Sequence, residues 1–180
     1  MDQNKCLKII FNLCDRKKYI ERYFKLLKKY QVNKLNFDIL IINDFNNYLN
    51  KKFLHNIETK IIVKNLTKKI TGMNTMFTAM NGYNNIIEKY SYVCFVEDDN
   101  FIFPKGMYQS IKFLEKNNKY VGCGGLSFLY GGGKKFIFIS PYHTPNFFSN
   151  SLIKRAIQYQ NNGGLIYYSV IRKKNFLKIF

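Results

Sequence analysis

The sequence has no tryptophan, three prolines, two histidines and only four arginines. Arginine is scarce beside 25 lysines, although the formal net charge is +18. Arginine is the side chain that best reads phosphates and base edges, so the charge argues poorly for a nucleic-acid partner. Lysine with abundant asparagine and isoleucine is the bias an A+T-rich genome produces. Lysine still acts as a point charge, which suits peripheral contact with an anionic membrane. His55 and His143 lack metal-ligand spacing. The four cysteines, Cys6, Cys14, Cys94 and Cys123, form no C-x-x-C pair, which removes that zinc or redox signature. They sit in or beside strand-like runs and read as small buried hydrophobes of a reducing, cytoplasmic compartment. No run of about 18 apolar residues offers a membrane-spanning helix. The start, Met1 to Cys6, carries an acid and leads into a strand-like run, unlike a signal peptide. Acids are also unevenly spread: none follows Glu115.

What is present has the rhythm of an α/β domain. Lys5 to Leu13 is an apolar run read as a strand, and Asp15 can cap the helix that follows. In that helix Ile20, Tyr23, Phe24, Leu27 and Tyr30 recur at helical spacing, with Lys25, Lys28 and Lys29 mostly opposite. Phe37 to Ile42 reads as a strand buried on both faces, and Lys60 to Val63 as a third strand. Met73, Met76, Phe77, Met80 and Ile87 form a second helical stripe. Tyr92 to Val96 is a fourth strand, and Pro104 opens a helix to about Asn117. This alternation predicts an open, mainly parallel sheet with helices on both faces. The later part reads differently. Val121 to Leu129 and Phe136 to Ile139 are strand-like, with a turn at Tyr130 to Gly133 and a loop over 142–150. A short helix is expected over 151–160, a strand over Gly164 to Ile171 and a helix from Arg172 to Phe180. No repeat or linker divides the chain, so one domain is expected, with a nucleotide-binding half over 1–118 and a smaller mixed or antiparallel half over 119–180.

The fourth strand ends in Glu97-Asp98-Asp99-Asn100. Three consecutive acids repel one another unless a cation or hydrogen-bond donors compensate. In open α/β sheets, ligands bind beyond the carboxyl ends of strands. Carboxylates there suit Mn²⁺ or Mg²⁺ shared with substrate phosphates. The blander reading is an acidic turn that caps the next helix. Asp44, ending the second strand, is either a nucleotide contact or a solvated loop acid. Asp15 and Arg16, ending the first strand, are either nucleotide contacts or a helix cap and a solvated cation.

Tyr92 to Pro104 resembles a subgroup of GT-A-type, family 2-like glycosyltransferases. That subgroup has an apolar strand, an Asp-Asp-Asp-Phe-Ile-Val-Pro-like segment and a helix. The match is ungapped when Asp98, Asp99 and Asn100 take the three acid places, with Phe101 and Pro104 falling on the Phe and Pro. Asp15-Arg16 stands where the family often has Asn-Arg, and Tyr167 to Arg172 resembles its strand-and-Arg segment. The resemblance implies a nucleoside diphosphate sugar donor, a glycan or lipid-linked acceptor, and a Mn²⁺ or Mg²⁺ ion. It implies that Asp98 faces the nucleoside, while Asp99 and Asn100 face the diphosphate and metal. In a shifted register Glu97 and Asp99 are the outer metal pair; both registers stay open.

A carboxylate base for the acceptor hydroxyl is missing from residues 116–180. His143 is the substitute that titrates near neutral pH. The chain is also shorter than the domains it resembles, which suggests a truncated or degenerate relative. A catalytically inactive nucleotide-sugar-binding domain is therefore the competing reading. A nucleotidyltransferase would show a glycine-rich loop near the first strand, and Leu13 to Lys17 contains no glycine.

Overall fold

The computed structural model describes residues 5–13, 17–30, 37–45, 49, 51–57, 59–71, 73–125, 127–132, 137–142, 149, 151, 153–154, 157 and 169–179. The four expected strands form β1 (Cys6–Asn12), β2 (Phe37–Asn43), β3 (Ile61–Asn65) and β4 (Tyr92–Glu97). All of β1 and β2 is buried, as largely apolar runs require when helices cover both faces, and Lys8 and Asp38 are buried with them. β1 pairs in parallel with β2 on one side and β4 on the other, and β2 pairs in parallel with β3. Two short strands, β5 (Gly122–Cys123) and β8 (Val170–Arg172), extend the sheet beyond β4 in antiparallel sense. The order is β3-β2-β1-β4-β8-β5. A separate antiparallel pair joins β6 (Ser127–Gly132) to β7 (Ile137–Tyr142). The mainly parallel α/β sheet with a small antiparallel part is the architecture expected from the sequence.

Side-chain alternation along β1 builds two layers. Cys6 and Ile10 face α1 (Lys17–Lys29) and α4 (Pro104–Lys116), where Ile20, Tyr23, Phe24, Leu27, Met107, Ile111 and Leu114 complete the core. Leu7, Ile9 and Phe11 face Met80 of α2 (Met73–Asn81), Ile87 of α3 (Asn84–Ile87) and Phe176 of α5 (Lys173–Ile179). Pro104 occupies the first turn of α4, where its missing N–H costs nothing. Arg172 closes the other end of α4: its guanidinium donates to the carbonyls of Leu114 and Asn117, and at 3.0 Å to that of Tyr120.

Several local expectations shift. Tyr30 lies in the turn after α1 and is 39% exposed, with its ring packed on Phe103 rather than in the helical stripe. The second helical stripe breaks into α2 and α3 at Gly82-Tyr83. Tyr130, Gly131 and Gly132 belong to β6 and Pro141 to β7, where cross-strand pairing overrides their turn propensity. Of the helix expected over 151–160, Ile153, Lys154 and Ile157 are described, and all three are helical. Residues 164–168 lie outside the described residues. Among the described residues, no helix is long and apolar enough to cross a membrane.

Candidate functional site

Strand order reverses beside β1, with β2 and β3 on one side and β4 on the other. At such a reversal the connections leave in opposite directions and open a crevice beyond the carboxyl ends of the strands. The side chains at that edge are polar. β1, β2 and β3 each end in asparagine, and the register places Asn12 beside Asn43 and Asn43 beside Asn65. The carboxamides form a ladder: Asn12 Nδ2 donates to Asn43 Oδ1 at 2.8 Å, and Asn43 Nδ2 to Asn65 Oδ1 at 2.7 Å. Asn12 and Asn43 are buried, where a polar group without a partner would cost about 1–3 kcal/mol.

The acidic segment follows β4 at the same edge. Phe11 and Glu97 are the last paired residues of β1 and β4. Glu97 therefore continues the face of Val93 and Phe95, toward α2 and α5, and Asp98 continues that of Cys94 and Val96, toward α1. Asp98 is 1% exposed, and its Oδ2 accepts the Leu13 amide at 3.1 Å. That bond ties the turn after β4 to the turn after β1 across the reversal point. The chain then turns sharply, as the Asn100 amide donates to the Glu97 carbonyl at 3.2 Å. Asn100 Nδ2 donates to Asp99 Oδ1 at 2.6 Å, and the Arg22 guanidinium of α1 reaches the Asp99 carbonyl at 3.3 Å. Asp99 and Asn100 are half-buried. The helix-capping reading of this segment fails: Phe103 precedes α4, and no side chain caps it.

Asp44 lies at the same edge on the other side of β1. It is 2% exposed and so is not a solvated loop acid. Its Oδ1 accepts the amides of Phe45 at 2.8 Å and Ile70 at 2.7 Å, which fastens the connection between β3 and α2. The fold thus brings Asp44 and Asp98 to Asn100 to one edge. Asp15, Arg16 and His143 lie outside the described residues.

Among the described residues, no group of three or more His, Cys, Asp or Glu comes together to hold a metal ion. Asp99 and Asn100 stand together as one carboxylate and one carboxamide. So small an oxygen set suits a hard cation only where phosphate oxygens complete its shell.

Sequence reasoning missed the asparagine ladder, Arg22 and a fully buried lysine, Lys8. The ladder had a signal, since three successive strand-like runs carry an asparagine within two residues of their ends, at Asn12, Asn43 and Asn65. Arg22 and Lys8 had none, because their partners lie 77 and 94 residues away.

No curated protein matches the chain. Solved structures do. S. aureus TarS 1–349 superposes with a TM-score of 0.57 at 15% identity, covering 94% of this chain and 47% of that one. Its complex with UDP-GlcNAc gives 0.55 at 15% identity, covering 94% and 45%. Its complex with UDP gives 0.54 at 15% identity, covering 94% and 47%. At that identity the likeness concerns the fold, and the chain spans less than half the length of these neighbours. The sequence itself matches the model of glycosyl transferase family 2 over residues 9–180. A match over nearly the whole chain, on a sheet of the same fold with its acidic turn at the strand-order reversal, makes this chain a member of glycosyl transferase family 2.

Proposed function

We propose that the chain binds a nucleoside diphosphate sugar along the carboxyl ends of β1, β2 and β4 and transfers the sugar to a glycan or lipid-linked acceptor. The observation that carries this reading is the convergence of Asp44 and the Asp98-to-Asn100 turn on one edge, bridged by the Leu13–Asp98 hydrogen bond. Asp44 and Asp98 serve the nucleoside side, where carboxylates accept from ribose hydroxyls or a base N–H. Asp15 and Arg16, which follow β1 in the sequence, are the candidates for further nucleotide contacts, Arg16 toward the diphosphate. Asp99 and Asn100 face the diphosphate; in the alternative register Glu97 joins Asp99. A bound Mn²⁺ or Mg²⁺ would neutralise the charge that builds on the leaving diphosphate. The start of α1, with Lys18 beside it, favours the same negative charge through its N–H groups and dipole.

The acceptor side draws on residues 119–180, where His143 is the candidate base. Lysine-rich surfaces favour an anionic membrane nearby, consistent with a lipid-linked acceptor. The TarS neighbours crystallised with UDP-GlcNAc and UDP make uridine donors the first to try. The test is a thermal-shift panel of nucleoside diphosphates and their sugars, with and without Mn²⁺. A ligand of the folded chain raises the melting temperature by mass action. No shift with any of them rejects the site. A second reading, a binding domain without turnover, is favoured by the lack of any acid in residues 116–180. Release of free UDP from a bound donor decides between the two.

A further inference from the structure

Lys8 stands in the middle of β1, the strand on which the site is centred, and its side chain is fully buried. Its register neighbours are Ile39 of β2 and Cys94 of β4. A buried amine is costly unless it is paired or hydrogen-bonded, and the partners found here are not acids. The Lys8 ammonium donates to the Ile102 carbonyl at 3.2 Å and lies 4.7 Å from the centre of the Tyr23 ring and 5.5 Å from that of Phe101. Ile102 follows the acidic turn by two residues. Around this contact the Phe101 ring packs on Tyr23 at 5.2 Å and on Phe103 at 5.1 Å.

An aliphatic side chain would suit this apolar layer better. Natural sequences depart from core packing rules chiefly at functional sites, and the contact that only the amine supplies is the one to the Ile102 carbonyl. The acidic turn is then held at both ends. The Leu13 amide and Arg22 hold its beginning, through Asp98 and the Asp99 carbonyl, and Lys8 holds the chain that leaves it.

We propose that Lys8 is a positioning residue for the acidic turn: by drawing the Ile102 carbonyl into the core, it fixes how Asp99 and Asn100 are presented to the diphosphate. The last clause rests on the nucleotide-sugar reading of the site; the tether itself does not. Lys8→Met tests it, because methionine keeps the length and apolar stem but loses charge and donor. Two readouts separate the claims. Hydrogen exchange followed by mass spectrometry needs no ligand, and exchange across 97–103 should rise about tenfold while β1 and β2 stay protected. Calorimetric titration with UDP and Mn²⁺ should show about tenfold weaker binding. The melting temperature should hold or rise, which a mere packing role would not give.

A pH series adds a signature. The titratable groups facing Lys8 are the Cys6 and Cys94 thiols and the Tyr23 phenol. Burial pushes all three up, Cys94 to about 12, so they stay neutral while Lys8 titrates. The affinity gap between the two chains should narrow as pH rises through about 8, where Lys8 loses its proton. Unchanged exchange across 97–103 overturns the tether, as does a fall of stability and affinity together. Raised exchange with equal UDP affinity overturns the link to the diphosphate. Raised exchange with neither chain binding any nucleoside diphosphate overturns the nucleotide reading and supports the tether. If Lys8→Met does not fold, Lys8→Leu carries the same measurements.

Discussion

At the amino-terminal edge of the sheet, Asp38 is buried and accepts from the Tyr90 hydroxyl at 2.7 Å, with the Lys5 ammonium at 2.9 Å. At the carboxyl-terminal edge, Asp98 and Asp44 are equally buried but accept main-chain amides, from Leu13 and from Phe45 and Ile70. One edge is closed by a side-chain cation and a phenol. The other is shaped by N–H groups that the turns themselves supply. The first arrangement satisfies a charge within the fold. The second fixes the course of the loops, and it is these loops that face a ligand in an open α/β sheet. The same residue type is a clasp at one end and a scaffold for a site at the other.

The largest effect that would separate the edges is on binding. Asp98→Ala removes the acceptor of the Leu13 amide, a loss of about 1–3 kcal/mol in stability, and should weaken Mn²⁺-dependent UDP binding at least about a hundredfold. Asp99→Ala should lose binding to a similar degree with little change in melting temperature, since Asp99 is half-buried. Glu97→Ala should be milder. Calorimetric titration of the three variants checks this. Binding like the unaltered chain in Asp98→Ala, or complete loss in Glu97→Ala alone, rejects the ungapped register. At the other edge Asp38→Ala should cost about 1–3 kcal/mol by stranding the Tyr90 hydroxyl and Lys5. UDP affinity of the folded protein should not change, and a fall in affinity there would mean the two edges are not independent.

Lys8 gives a pH-dependent effect of comparable size between the edges. Burial holds its ammonium at about 8 against an ordinary 10.5. Between those values the unfolded chain binds the extra proton, so this residue makes stability rise with pH across that window. Below it the full cost, about 3 kcal/mol, is present. The Lys8→Met chain carries no such cost. It should melt higher at pH 7, and the gap should close toward pH 10.5. A gap that stays constant across that range would show that Lys8 is not titrating there.

The sequence made one layer of this molecule readable and hid another. β1, β2 and β4 were legible because each is a run of apolar residues that only a doubly covered strand accommodates. β5 and β8 fall at the strand-like runs over Val121 to Leu129 and Gly164 to Ile171, but their bounds and pairing were not legible, because strands of two and three residues carry no periodicity and β5 and β8 pair across more than 45 residues. At the site, Asp98 to Asn100 stood out as charge where a buried strand ends. The asparagine ladder, Arg22 and Lys8 depend on register and helix placement, which long-range packing sets. Asp44 was found by position, but its bond to Ile70 exists only once the connection after β3 folds back on it.

The smallest expected effect is the most specific to the metal question. Asn100 Nδ2 donates to Asp99 Oδ1 at 2.6 Å, so Asn100→Asp replaces a hydrogen bond with two adjacent carboxylates. In EDTA their repulsion should lower the melting temperature slightly, by the equivalent of about 0.5–1 kcal/mol for half-exposed like charges. With Mn²⁺ the sign should reverse, because the added charge gives the cation a second carboxylate and charge count tunes the affinity of oxygen sites. UDP binding in Mn²⁺ should tighten a few-fold, roughly 1 kcal/mol, while binding in EDTA should weaken. Differential scanning calorimetry in EDTA and in Mn²⁺, paired with UDP titrations, reads both signs. If Asn100→Asp loses UDP binding in Mn²⁺, the carboxamide is needed as a donor to Asp99 rather than standing in for a missing acid, and the turn is built for hydrogen bonding to the diphosphate instead of for a cation.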